Sequence, residues 1–481
     1  MLCAYLSGHR WRWLAAHATP DSDERRRAGS GLLDRPRRPH RAGASVRPSM
    51  DPALPPGPRE PAALQTLEWV VRPTAFLRRC AARHGEAFTI RLAFDDAPLV
   101  LVWHPDAVRA VHTADPAIVR RGASPGPLAL VAGERSILLA DGDEHLRIRR
   151  FMLPPFHGER MAAAAPLVRA LAEERIATWP RGRPVALLGE LQALTLDVIL
   201  RIVLGVRDPE LAAEIRATLG AASSLPRMAA MGLVPRDLGP RSPWGAFRAR
   251  LRGVERSLRA VVAERRARPG DDVLSGLIAA GCDDDELRDH LVTLLAAGHE
   301  TTAGALAWAT ERLARAPGVV AALRAGDDEL LEGVVRETLR VRPVLTVAPR
   351  KLAAPLDVGA RVLPAGVHVA PCIYLVHRRA DLYPDPAAFR PERWRGVATP
   401  DGAAWIPFGG GVRRCVGAAF ALMEMREVLR VLTARLQLAP DRPQPERMRR
   451  RGVTLQPGRG ARVVLVEPLR AHPRMVLAPA R

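Results

Sequence analysis

Trp405–Leu429 reads WIPFGGGVRRCVGAAFALMEMREVL. Three successive glycines, Gly409 to Gly411, allow backbone shapes closed to other residues and let the chain press close to a flat partner. Cys415 follows, then Gly417, then from Ala418 a run of Ala, Leu, Met and Glu with helical character. The cysteine therefore stands in a loop at a helix N-terminus. Unpaired amide N–H groups and the helix dipole favour a thiolate there, and Arg413 and Arg414 add positive charge. Such a setting suits a nucleophile or a soft metal ligand. A lone cysteine is more often a small buried residue beside a turn, and this loop must be weighed against that reading.

The 481 residues are 48% hydrophobic but only 4% aromatic. Ala-Leu-Arg-Glu stretches are many and Val/Ile/Tyr/Phe runs few, which predicts a mainly helical protein with a substantial core. The net charge of +21 first suggests nucleic acid. Lys351 is the only lysine, however, so 71 of the 72 basic residues are arginine. A bias this complete looks like a GC-rich genome, the arginines are spread along the whole chain, and no nucleic-acid motif appears. The cysteines Cys3, Cys80, Cys282, Cys372 and Cys415 are odd in number and far apart, with no C-x-x-C, which excludes a disulfide framework and a zinc site. No run approaches the ~20 apolar residues of a membrane span, and a signal peptide is not expected.

Residues 1–49 differ from the rest. They carry ten arginines and four acids, and from Thr19 to Ser49 they lack apolar periodicity, so a disordered Arg/Pro-rich extension is expected. Met50 is a candidate true start. Beyond it, helices are predicted at Thr66–His84, Gly158–Trp179, Leu188–Leu204 and Ala246–Ala267. A strand pair is predicted within Ala87–Trp103, turning at Asp95–Asp96, and a second β region within Arg350–Val369. Asp285–Ala316 reads as one helix of about 30 residues, with acids at its start and Pro317 after its end.

Within that helix lies AAGHETTAG, Ala296–Gly304. Thr301, Thr302, Gly298 and Gly304 are weak helix formers and predict a local opening of the backbone ladder. The acid beside an alcohol, Glu300–Thr301, could relay protons. A small-residue face packing closely on a neighbour explains the same letters. Glu337 and Arg340 share a helix face, although the same spacing recurs at Glu144/Arg147, Glu427/Arg430 and Glu446/Arg449.

Phe408, Gly411, Arg413, Cys415 and Gly417 match the F-x-x-G-x-R-x-C-x-G signature of the cytochromes P-450. AGHETT resembles that family's A-G-x-[DE]-T segment, Glu337/Arg340 its E-x-x-R pair, and DPAAFRPERW (Asp385–Trp394) its P-x-x-F-x-P-E-R-F segment. These motifs stand in the family's order, and the resemblance covers roughly residues 50–470, with 471–481 as a tail.

The resemblance implies the mainly α P-450 fold, a single large helical domain with a small β-rich subregion. It implies haem b, iron protoporphyrin IX with Cys415 as axial thiolate, which favours O–O cleavage. It implies that Phe408 packs near the sulfur and that Arg413, His145, Arg149 and Arg350 meet the haem propionates. Ala297, Gly298, Glu300 and Thr301 would face dioxygen, and Arg393 would join Glu337 and Arg340 in bracing the haem loop. It implies a substrate pocket built from Gly122–Ser136, Leu225–Pro240, Leu294–Thr301, Val344–Ala348 and Val453–Leu455. These stretches are apolar, with Arg135, Arg227 and Arg236 as the arginines that could hold an acidic group.

The expected protein is a cytoplasmic, monomeric monooxygenase of secondary metabolism acting on a lipophilic small molecule with O2. No flavin or iron–sulfur domain follows Cys415, so electrons are expected from a ferredoxin and its reductase, docking near Arg413 and Arg414. The rivals are a peroxygenase or an isomerase/dehydratase on the same fold, and a non-enzymatic haem sensor. The Glu300–Thr301 pair argues against each.

Overall fold

The strand Leu99–Val102 (β2) is apolar at every position, and all four side chains are buried. Alternate residues of a strand face opposite ways, so such a run needs cover on both faces. Leu99 and Leu101 enter one core with Trp69, Phe76 and Leu77 from helices Ala62–Val71 (α1) and Pro73–His84 (α2). Val100 and Val102 enter another with Ala107 and Val111 of Pro105–Thr113 (α3). The sheet between them runs β1-β2-β8-β5-β3, where β1 is Ala87–Ile90, β3 Val119–Arg121, β5 Arg350–Leu352 and β8 His368–Pro371. Among the described residues only β2 and β8 pair in parallel.

The computed structural model describes residues 54–467, apart from 96, 122–131, 157, 223–238, 240, 360 and 399. The expected extension 1–49, the tail 471–481, Arg227, Arg236 and much of the two pocket stretches before residue 241 lie outside the described residues.

The larger core is helical. Gly142–Met152 (α4) leads to Gly158–Ala177 (α5), Leu187–Ile199 (α6) and Pro243–Ala267 (α7). Asp284–Leu313 (α8) is 30 residues long and crosses the domain, packed along α6. Asp283 caps it, accepting from the Asp285 and Glu286 amides, while Glu286 returns a bond to the Asp283 N–H. This capping box explains a start one residue before the sequence expectation. Asp328–Val341 (α9) and Ala418–Arg435 (α10) complete the core, α10 lying against α5. Three small sheets flank it. These are β4 (Pro184–Ala186) with β12 (Arg462–Val466) and β9 (Gln437–Pro440); β10 (Met448–Arg451) with β11 (Thr454–Pro457); and β6 (Leu356–Asp357) with β7 (Val362–Leu363). Among the described residues no helix is long and apolar enough to cross a membrane.

Two expectations need correction. Thr66–His84 is not one helix but two, broken at Arg72, because Pro73 cannot continue the ladder and drives the preceding residue out of the helical region. The expected opening of α8 at AGHETT is absent, since the helix runs on unbroken. There Thr301 and Thr302 turn their hydroxyls back and donate to the Ala297 and Gly298 carbonyls at 2.6 and 3.0 Å. Gly298 fits the packing explanation, because a Cβ on it would come 2.8 Å from Ile199 of α6.

Candidate functional site

The glycine loop is held against α3. Gly411 has φ +64, and a Cβ there would lie 2.1 Å from the His112 carbonyl oxygen; one on Gly410 would lie 2.2 Å from His112 Nδ1. The loop then folds back so that the Cys415 amide donates to the Phe408 carbonyl at 3.0 Å. Phe408 is fixed edge-on by Trp405, and Trp405 by Trp394.

Cys415 is open to solvent, yet enough protein surrounds its sulfur that desolvation raises the thiol pKa. A group in both conditions lies on the floor of a deep cleft. The Gly417 amide, Arg149 and Arg414 pull the pKa down but do not prevail. Desolvation here outweighs the helix end and the arginines, which do act in favour of a thiolate. Arg413 does not take part, because it is turned to Asp141 and to the Ala140 carbonyl (2.8 Å). It is also too buried to serve as a docking residue, which leaves Arg414 exposed on that face. A metal bound to the sulfur would reverse the balance.

Around the cleft, basic groups outnumber acids. Arg149 donates to the Arg414 carbonyl at 2.6 Å. Burial, then Arg413 and Arg149, push His145 down to about 4. Arg350 is held at about 10 by burial and by Arg413, and among the described residues its side chain donates only to the Pro349 carbonyl. His112, lowered to about 4 by burial and Arg350, keeps a buried Nε2 without a partner. Asp141 is the carboxylate among them and already serves Arg413 and the Arg121 amide. A buried cluster so poor in anions suits a ligand that brings carboxylates. Gly417 adds a second sign. Its φ of −87 is ordinary and a Cβ would meet nothing within 4 Å, so nothing in the polypeptide explains glycine beside the sulfur. A flat macrocycle with two propionates fits both features.

On α8, Ala297 and Thr301 share one face, one turn apart, and both remain solvent-accessible. Glu300 accepts a bond from Gln456 Nε2 of β11 at 3.5 Å. Gln456 is itself fully buried and also reaches Thr454 at 3.2 Å. Leu455 next to it donates to the Val344 carbonyl at 2.7 Å, which ties two of the expected pocket stretches together. Leu345 and Val453 in these stretches are exposed apolar side chains.

The brace is densely hydrogen-bonded. Glu337 and Arg340 are fully buried and paired through both carboxylate oxygens at 2.8 Å. Arg393 Nε and Trp394 Nε1 each reach Glu337 at 3.0 Å, and the Arg390 amide at 2.9 Å. Arg340 also donates to the carbonyls of His377, Pro386 and Ala388. His377 Nε2 in turn accepts from the Ile406 amide at 2.9 Å, just before the glycines. The other pairs of the same spacing differ. Glu144/Arg147 is a surface pair, Glu427 turns to Arg169, and Glu446 binds backbone amides. Sequence reasoning missed His112, Arg121, Asp141 and Gln456, which no local pattern marks, and the hydrogen bond from Trp394.

Fold and cleft together define a haem-thiolate protein. A profile of the cytochrome P450 family matches residues 55–462. The provisionally named cytochrome P450 135B1 of Mycobacterium tuberculosis is 39% identical over 430 residues, spanning 85% of this chain and 91% of the relative. The provisionally named cytochrome P450 138 of the same species is 37% identical over 433 residues, covering 86% and 96%. Among solved structures, the retinoic acid-bound cyanobacterial CYP120A1 superposes with a TM-score of 0.76 at 23% identity over 86% of this chain and 99% of that one. CYP175A1 of Thermus thermophilus gives 0.70 at 26%, covering 84% and 97%. The chain belongs to the cytochrome P450 family, whose members bind haem through a cysteine thiolate and act in general as monooxygenases.

Proposed function

We propose that the protein inserts one atom of O2 into a lipophilic small molecule, taking two electrons from a ferredoxin with its reductase and releasing the second oxygen atom as water. The observation that carries the reading is Cys415 on the floor of a cleft ringed by acid-poor basic groups. Cys415 Sγ holds the iron; Arg149, Arg350, Arg413 and His145 hold the propionates. Haem, when bound, supplies the oxygen activation that no side chain here can perform.

The chain's own work is to position, exclude water and deliver protons. Thr301 Oγ1 donates to the Ala297 carbonyl, which turns the hydroxyl back along α8. To pass a proton it must rotate and release that bond, and Glu300 beside it, held by Gln456, resupplies it. The exposed apolar Leu345 and Val453 suit a substrate bound mainly by burial. The test is purification with haem and a spectrum of the reduced carbonyl complex. Turnover under isotopically labelled dioxygen should then place one labelled atom in the product. Turnover with peroxide but never with reductant and dioxygen would overturn the reading.

A further inference from the structure

Arg350 at the Cys415 cleft carries a signature: a largely buried guanidinium with no carboxylate partner among the described residues. Arg450 shows it again, away from that cleft. On β10 it stands opposite Leu455 of β11 and on the same face as Met448, which packs against the core of Trp69 and Phe76. Its guanidinium carbon lies 5.0 Å from the Trp69 ring centroid. Nε and Nη2 are both buried with no hydrogen-bond partner. Burial alone acts on its pKa, pulling it to about 10, and no carboxylate among the described residues offsets this. Other deeply buried arginines do better: Arg340 has Glu337, while Arg342 and Arg378 donate to the Val341 carbonyl. Of the arginines that sequence reading offered for an acidic group, Arg135 is engaged by Asp283.

The position matters as much as the missing partner. β11 lies on α8, since Trp308 Nε1 donates to the Leu455 carbonyl at 3.2 Å and Gln456 reaches Glu300. Arg450 is therefore one strand spacing, about 5 Å, beyond the strand that touches the proton-delivery residues. Val453, at the turn of the same hairpin, is an exposed apolar side chain, and so is Leu345, next to the residue that receives the Leu455 amide.

We propose that Arg450 binds the carboxylate of an amphipathic substrate whose apolar body runs along the β10–β11 hairpin toward Glu300 and Thr301. The proposal rests on the monooxygenase reading and narrows its substrate class to lipophilic acids. A charge-assisted pair to a partly desolvated guanidinium is worth roughly a 10- to 100-fold preference for acid over ester.

The test is calorimetric titration of haem-loaded protein with dodecanoate, palmitate and their methyl esters. It uses wild type, Arg450→Lys and Arg450→Met, with the reduced carbonyl spectrum recorded on the same samples. Wild type should prefer at least one acid over its ester by about tenfold or more. Arg450→Met should lose that preference with ester affinity unchanged, and Arg450→Lys should keep most of it. Equal binding of acid and ester by wild type, an acid preference that survives in Arg450→Met, or binding of neither acid overturns the proposal. The wild-type comparison decides even where the Met variant fails to fold. A protein that prefers the acid but lacks the thiolate signature would sink the monooxygenase reading and leave Arg450 standing.

Discussion

Replacing Glu337 with alanine strips the acceptor from five hydrogen bonds: two from Arg340 and one each from Arg393, Trp394 and the Arg390 amide. All five donors are left in an interior where Glu337 and Arg340 are both fully buried. Counting about 1–3 kcal/mol for each orphaned donor overstates the loss, because the donors relax together. Breaking a buried pair by removing one partner costs about 3–5 kcal/mol, since it strands a charge. We therefore expect a loss of about 4 kcal/mol, a large share of the 5–15 kcal/mol that holds a domain folded. The Arg340–His377–Ile406 path connects this site to the glycine loop, so haem retention should fall as well. Denaturant unfolding followed by circular dichroism gives the stability, and pyridine haemochrome assay the occupancy. Glu337→Met/Arg340→Met should lose less than the two single losses together, because no charge stays stranded. A Glu337→Ala loss under about 1 kcal/mol with full haem occupancy would refute the reasoning.

Cys415→Ala should lose haem or the thiolate signature of the carbonyl complex, while Cys80→Ala, Cys282→Ala and Cys372→Ala keep it; retention by Cys415→Ala would sink the ligand assignment. Gly411→Ala should destabilise the haem-free protein by about 1–3 kcal/mol or more through left-handed strain and contact with His112. Gly417→Ala should leave haem-free stability almost unchanged and weaken haem binding, and a thermal melt with and without haem separates the two. His377 has its pKa depressed by burial to about 3, so the folded protein keeps it neutral while the unfolded chain protonates near 6.5. Its contribution is full above pH 6.5 and is lost as pH falls toward 3, by roughly 3 kcal/mol at pH 4.5; stability measured against pH should flatten in His377→Gln. Gln456→Leu should raise the share of reducing equivalents lost as peroxide, roughly several-fold, in the same direction as Thr301→Ala but less; unchanged coupling would remove Gln456 from proton delivery.

Local signals carried much of the sequence reading. The α8 span was legible because acids, apolar spacing and Pro317 all act within one element, and the strand pair at Ala87–Trp103 because two short β-forming apolar runs flank Asp95–Asp96. Pro73 is equally legible as a helix break, but the apolar period continues on both sides of it and masks the signal. The threonines at AGHETT misled for a physical reason: their hydroxyls can satisfy helix carbonyls without breaking the ladder. Glu337/Arg340 could not be told from its look-alikes by spacing, since what distinguishes it is burial and three donors from Arg390–Trp394. Asp141, His112 and Gln456 join the site only through tertiary contact. The Cys415 thiol shows the limit of reasoning from a helix end, because desolvation from the rest of the fold outweighs it.

The strand Arg462–Val466 pairs with Pro184–Ala186, nearly three hundred residues earlier. On a ribosome adding 5–20 residues per second, β4 waits roughly 15 to 55 seconds for that partner. Until then the nascent chain carries an open strand edge beside the apolar face of α6, the kind of surface that holdase chaperones bind and that neighbouring chains can invade. Slowing translation late in the message should therefore lower the yield of folded protein more than slowing it early.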